Sequence, residues 1–200
     1  MITYIEKFYP DAEKLSTVIG QMEYTAATFG DELSNFNHVM SGTLEQFESI
    51  VPSLRGKVAL GPNSGLYRKP YNFVHFENFD QNTLFVALVA IEKTTFKVHN
   101  HKEKNVTKII DVTDDLNTFI KDECMDSSKW DDKLTYVMEP GDMVLFNPWF
   151  LHSVSGNLVK LFYINLNVQQ ANPTEEIAET TEETTPAPQE EQNESAKFEL

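Results

Sequence analysis

The sequence has a single cysteine, Cys124, so it contains neither an internal disulfide framework nor a multi-cysteine zinc site. It has two arginines, Arg55 and Arg68, which leaves chemistry that needs a guanidinium only two candidates. No apolar run approaches the ~18 residues of a membrane-spanning helix. Basic residues are scarce against acidic ones, 16 Lys+Arg to 31 Asp+Glu, and the formal net charge is −15. Affinity for a phosphate backbone or an anionic lipid surface needs clustered Lys and Arg, so neither nucleic acid nor membrane is an expected partner. The opening stretch MITYIEKFYPDAEK carries acids where a secretory leader has an apolar segment, and a cytoplasmic chain is the expectation. There is no G-x-S-x-G elbow, P-loop or dinucleotide fingerprint. Cys124 sits among acids in KDECMDSS, where neighbouring negative charge opposes a reactive thiolate.

What is present divides the chain in three. Residues 1–60 read as a helical layer. Leu15, Val18, Ile19 and Met22 recur at helical spacing after Pro10-Asp11, and Thr43 with Gln46 has capping-box spacing ahead of Leu44–Val51. Residues 61–170 read as a β core. Short runs rich in Val, Ile, Phe, Tyr and Thr occur at Tyr71–Phe76, Thr83–Ile91, Thr95–His99, Val106–Val112, Leu134–Met138, Met143–Phe146 and Leu158–Val168, with an insertion at Asp114–Lys133. Helices followed by seven or eight short strands predict an antiparallel two-sheet jelly roll, an all-β core with flanking helices packed on one sheet. Thr83–Ile91 is apolar nearly throughout, as suits a strand covered on both faces. Residues 171–200 hold nine glutamates and one lysine, and read as a disordered acidic tail, a solubilising extension or a contact for a protein partner.

The histidines are His38, His75, His99, His101 and His152. His38, in a polar linker, reads as incidental. In VHFENF, His75 and Glu77 are two apart, so a strand puts both side chains on one face. His152 follows a Pro140-Gly141-Asp142 turn, a short strand and an Asn147-Pro148 break, and it supplies the natural third ligand. Two imidazoles and one carboxylate leave open positions on a divalent metal, the donor set of non-haem Fe(II) sites. A competing set is cupin-like: His99 and His101 from one strand with His152, and Glu103 as the acid.

The order His75-x-Glu77, Thr83–Ile91, TTFKV and then PGDMVLFNPWFLHSV resembles the Fe(II)/2-oxoglutarate-dependent dioxygenases, which are built on a double-stranded β-helix. More narrowly, YRKPYNFVHFENF with NPWFLHSVSGN is similar to uncharacterised oxygenase-like proteins of large marine tailed bacteriophages, a likeness that places the chain in host cytoplasm. The resemblance covers roughly residues 66–168. It implies His75, Glu77 and His152 as iron ligands and catalytic residues, with Fe(II) and 2-oxoglutarate as cofactors. It also implies hydroxylation of an unidentified small molecule or protein side chain, and loops at 61–70 and 113–133 around the mouth. The chain departs from the family pattern twice. The second ligand is usually Asp, and Glu77 reaches one C–C bond, ~1.5 Å, further. The cation that clamps 2-oxoglutarate is usually an Arg or Lys on the last strand, where only Lys160 stands; Arg68 is the substitute. Alternation puts Lys160, Phe162 and Ile164 on one face and Leu161 and Tyr163 on the other, an arrangement that leaves open whether Lys160 points into the barrel. These departures keep open a jelly roll that has lost its catalysis and serves as a binding or structural module.

Overall fold

The computed structural model describes residues 1–19, 23–27, 30–33, 42–62, 64–68, 70, 72–77, 81–112 and 115–167. Two antiparallel sheets face each other. The larger has eight strands, in the order β1 (Ile2–Ile5), β9 (Met143–Phe146), β6 (Thr83–Ala90), β11 (Leu158–Leu166), β5 (Gly65–Arg68), β3 (Gly30–Leu33) and β2 (Tyr24–Ala27), with β4 (Val58–Leu60) paired to the end of β11. The smaller sheet is β10 (His152–Ser155), β7 (Thr94–His101) and β8 (Trp130–Met138). A single bridge from His75 to His152 adds the segment around residue 75 to its free edge. The architecture is the predicted jelly roll, a double-stranded β-helix.

The apolar run in β6 has the physical cause the sequence suggests. Val86, Leu88 and Ala90 pack between the sheets, while Ala87, Val89 and Ile91 pack outward under a helical cover. That cover includes α1 (Ala12–Ile19) and α2 (Thr43–Ile50), which contribute Ala12, Ile19 and Phe47. β11 divides in the same way. Val159, Leu161 and Tyr163 face the inter-sheet core, and Leu158, Phe162 and Ile164 face the helices. Each fully buried Phe, Leu or Val contributes roughly 1.5–3 kcal/mol, so the period-two pattern fixes which face is inside.

Several elements differ from the sequence reading. The first 60 residues include β1, β2, β3 and β4 as well as helices. These strands are only three or four residues long, too short for alternation to register, and they owe their existence to pairing with β9, β5 and β11. The capping box does not form. Gly42, at φ 75°, is the N-cap and makes no side-chain cap; Thr43 enters the helix and Gln46 Nε2 donates to the Phe8 carbonyl. The run Val106–Val112 makes only a bridge, Lys108 to Phe150, and then a 3-10 turn at Ile109–Asp111. Within 72–76 only His75 is bridged. β8 starts at Trp130, four residues before the predicted Leu134, and thereby takes in the end of the insertion. His38, Met22 and the acidic tail lie outside the described residues.

Candidate metal centre

The approach to His152 is built by a tight turn. Gly141 adopts φ 95°, and a Cβ there would stand 2.4 Å from the Tyr9 carbonyl oxygen, so only glycine fits. Its neighbour Asp142 accepts from the backbone N–H groups of Lys7 at 3.0 Å and Glu139 at 2.9 Å, and from the Tyr4 hydroxyl. Those donors hold its carboxyl below the usual range although burial acts the other way. β9 then runs through the core, Asn147-Pro148 breaks the strand, and β10 opens on His152.

His75 and His152 exchange backbone hydrogen bonds of 2.8 Å in both directions, which sets the two rings side by side with centroids 4.4 Å apart. The Glu77 backbone N–H donates to the Pro148 carbonyl at 3.0 Å, so residues 75 and 77 both run beside the segment that leads into β10. Among the described residues, His75, Glu77 and His152 form a group whose metal-ligating atoms all lie within 4.8 Å of one another. Donor atoms around one ion at ~2.0–2.2 Å stand ~3–4 Å apart, so small rotamer adjustments close the set. His152 and Glu77 are buried, and His75 is half-buried.

The hydrogen bonds around the rings favour a metal. Nδ1 of His75 lies 2.9 Å from the Phe73 carbonyl oxygen and Nδ1 of His152 lies 2.8 Å from that of Phe150. A carbonyl only accepts, so each Nδ1 carries a proton, and Nε2 is the atom through which each ring would ligate a metal. His152 Nε2 faces Glu77 Oε1 at 3.2 Å. Two lone-pair atoms at that distance need a cation between them, either a proton or a metal. Burial, followed by the neighbouring His152, pushes the His75 pKa down to about 4, keeping that ring neutral and able to ligate. Burial alone would raise the Glu77 carboxyl; the hydrogen bond and charge of His152, with His75 and Tyr163, outweigh it and hold Glu77 ionised. Phe96 and Phe146 pack on the His152 ring and keep water from that side.

The two predicted clamp cations are placed elsewhere, and the reason is strand alternation. The inward face of β11 is that of Leu161 and Tyr163, so Lys160 points into the helical layer. There its ammonium donates to Thr43 Oγ1 at 2.6 Å and lies 5.2 Å from the centre of the Tyr9 ring. On β5 the inward residue is Tyr67, and Arg68 turns outward to stack over Tyr24 at 4.3 Å. Neither side chain enters the inter-sheet core in which His75, Glu77 and His152 meet. The cupin-like set does not assemble either. His99 Nε2 meets Ser153 Oγ at 2.7 Å on the outer face of the small sheet, beside a groove of about 400 Å³. His101 Nε2 donates to Glu123 Oε2 at 3.1 Å while its Nδ1 accepts from the Lys104 backbone N–H, and Glu103 is exposed. His152 lies inward of both.

Two residues without an assigned role in the sequence reading border the centre. Tyr163 donates its hydroxyl to Glu77 Oε2 at 2.6 Å. Tyr67 lines a small cavity of about 10 Å³, room for roughly one water, together with His75, Glu77, Leu88, Val159 and Leu161. The alternation of β11 already set Tyr163 apart from Lys160; the signal for its role is a buried hydroxyl on the inward face.

No family model matches the sequence, and no curated protein matches it. Solved structures do resemble the fold. HygX from Streptomyces hygroscopicus, with nickel, 2-oxoglutarate and hygromycin B bound, is 11% identical over 83% of this chain and 83% of its own, with a TM-score of 0.53. HygX with iron bound gives 0.50 at 11% identity, over 83% and 82%. SnoN, a non-heme alpha-ketoglutarate-dependent epimerase from nogalamycin biosynthesis, gives 0.50 at 9% identity, over 82% of this chain and 78% of its own. At such identities the likeness is one of fold, and the fold shared is the double-stranded β-helix.

Proposed function

We propose that this chain is a non-haem Fe(II)- and 2-oxoglutarate-dependent oxygenase that acts on a C–H bond of a small molecule or a protein side chain. One observation carries the reading: two imidazoles and a carboxylate from distant parts of the chain bring their ligating atoms within 4.8 Å of one another, with both Nδ1 atoms fixed on backbone carbonyls. Nε2 of His75, Nε2 of His152 and Oε1 of Glu77 would hold the metal. When bound, Fe(II) supplies the activation of O₂ that side chains cannot perform. The Phe73 and Phe150 carbonyls orient the two rings, and Phe96 and Phe146 exclude water. The nickel- and 2-oxoglutarate-bound state of HygX supports the same cofactors here.

The metal fits these residues better than the far carboxylate of 2-oxoglutarate does. Apart from His75 and Glu77, the described side chains that line the small cavity offer one hydrogen-bond donor, the Tyr67 hydroxyl, and otherwise hydrocarbon. We place the protein in the cytoplasm, that of a bacterial host if the chain is phage-encoded.

The test is anaerobic titration of the purified chain with Fe(II) and then 2-oxoglutarate. A weak visible charge-transfer band is expected on adding 2-oxoglutarate, and His152→Ala abolishes it. Metal binding without the band removes 2-oxoglutarate from the reading; absence of metal binding leaves a jelly roll that works as a binding or structural module.

A further inference from the structure

We infer that Tyr163 is a positioning residue for the metal centre, holding Glu77 to a single ligating oxygen. The inference rests on the metal reading above and extends it to a residue outside the ligand set. β11 presents Tyr163 on the inward face of the large sheet, in register with Val86 of β6. Its hydroxyl, buried with the rest of the side chain, donates to Glu77 Oε2 at 2.6 Å, while Oε1 of the same carboxylate faces His152 Nε2 at 3.2 Å. The two oxygens thus have separate tasks: one is held by the phenol and the other is turned toward the His152 imidazole.

That division answers the length problem of a glutamate ligand. A Glu side chain has one more rotatable bond than Asp, and a free carboxylate at its end swings and chelates through both oxygens. Chelation would take a further position on the ion and crowd out an exogenous ligand. A phenol hydrogen-bonded to Oε2 removes both freedoms, because that oxygen is occupied and the carboxylate plane is fixed. The phenol hydroxyl is suited to the task because it donates along one direction, to Oε2, from a ring buried in the inter-sheet core. Hydrogen bonds to a ligating carboxylate act on metal affinity as strongly as those to a ligating imidazole. In this arrangement Glu77 and Tyr163 work as one unit that does the job of a shorter acid.

The experiment uses Co(II), a redox-stable substitute whose visible spectrum reports coordination number, titrated into the full chain and into Tyr163→Phe, Glu77→Asp and the double variant. Phenylalanine keeps the ring and its packing, and a thermal melt of the metal-free protein checks that the fold persists. Tyr163→Phe is expected to weaken Co(II) about 10-fold or more, the usual effect of removing an outer partner of a ligand, and to shift the spectrum toward higher coordination number. The shorter arm of Glu77→Asp withdraws the carboxylate from the phenol, so adding Tyr163→Phe to it should change affinity less than twofold. Unchanged affinity and spectrum in Tyr163→Phe, with the wild type binding Co(II), would overturn the positioning role while leaving the metal reading intact. So would full additivity of the two substitutions. A wild type that binds no Co(II) overturns the metal reading, and the role of Tyr163 falls with it.

Discussion

Lys160 shows how one residue's facing decides its role. It is 2% exposed, and burial lowers its pKa to about 8. A lysine whose folded pKa lies below its unfolded value binds a proton less readily when folded, so folding is penalised by up to about 3 kcal/mol below pH 8, and the penalty fades as pH rises toward 10.5. Replacing it with methionine loses the bond to Thr43 but removes a buried charge, and such exchanges are often neutral or stabilising. Lys160→Met is therefore expected to gain about 1–2 kcal/mol in urea unfolding at pH 7, less at pH 10, and to leave metal and 2-oxoglutarate binding unchanged. A loss of 2-oxoglutarate binding would restore Lys160 as the clamp. The three ligand candidates were legible because His-x-Glu and the Pro-Gly-Asp to His block are local patterns whose chemistry needs no neighbours. Which face of β11 points inward was not legible, because both of its faces are apolar and both are buried. Only the packing of α1 and α2 on one side tells them apart.

At the scale of elements, strands that carry their own signal were read correctly and strands defined by a partner were not. β6, β7, β9 and β11 are rich in β-branched and aromatic residues and appear close to the positions expected. The four short strands before residue 61 have no such signature, and pairing alone makes them. Val106–Val112 has the composition of a strand, yet it is spent on anchoring the loop over Trp149 and Phe150, where Ile109 N–H donates to the Trp149 carbonyl at 2.8 Å. The turn between β8 and β9 is the element on which the centre leans, since it sets the path of β9 toward His152. Gly141→Ala forces a side chain into a left-handed backbone, costing ~1–3 kcal/mol, and drives a Cβ against the Tyr9 carbonyl. A loss of at least about 2 kcal/mol in chemical denaturation is expected, with α1 exchanging its amides faster because Tyr9 precedes it. Unchanged stability in the Gly141→Ala variant would show that this turn does not brace the N-terminal layer.

For the whole molecule the centre couples folding to pH and to metal. In the metal-free protein His75 stays neutral down to about pH 4, whereas the unfolded chain protonates it near 6.5. The unfolded state therefore binds more protons between those values, and this one ring withdraws up to about 3 kcal/mol of stability as pH falls from 6.5 to 4. Glu77 acts in the same direction at lower pH, since its folded pKa is depressed and its contribution disappears as the carboxylate takes up a proton. A divalent ion that binds only the folded state adds RT ln(1 + [L]/Kd), about 2.7 kcal/mol at 100-fold excess over Kd. That increment requires both Nε2 lone pairs, so it too vanishes on acidification. The melting temperature is thus expected to rise on adding Ni(II) or Co(II) at pH 7.5, to rise little below about pH 4, where His75 itself takes up a proton, and not to respond in His152→Ala at either pH. His75→Ala, lacking the ring that resists protonation, should flatten the acid limb of the metal-free stability curve between pH 6.5 and 4. If the metal raised the melting temperature of His152→Ala as much as that of the wild type, the ion would be binding to the acidic surface, and the buried histidines would be packing groups alone.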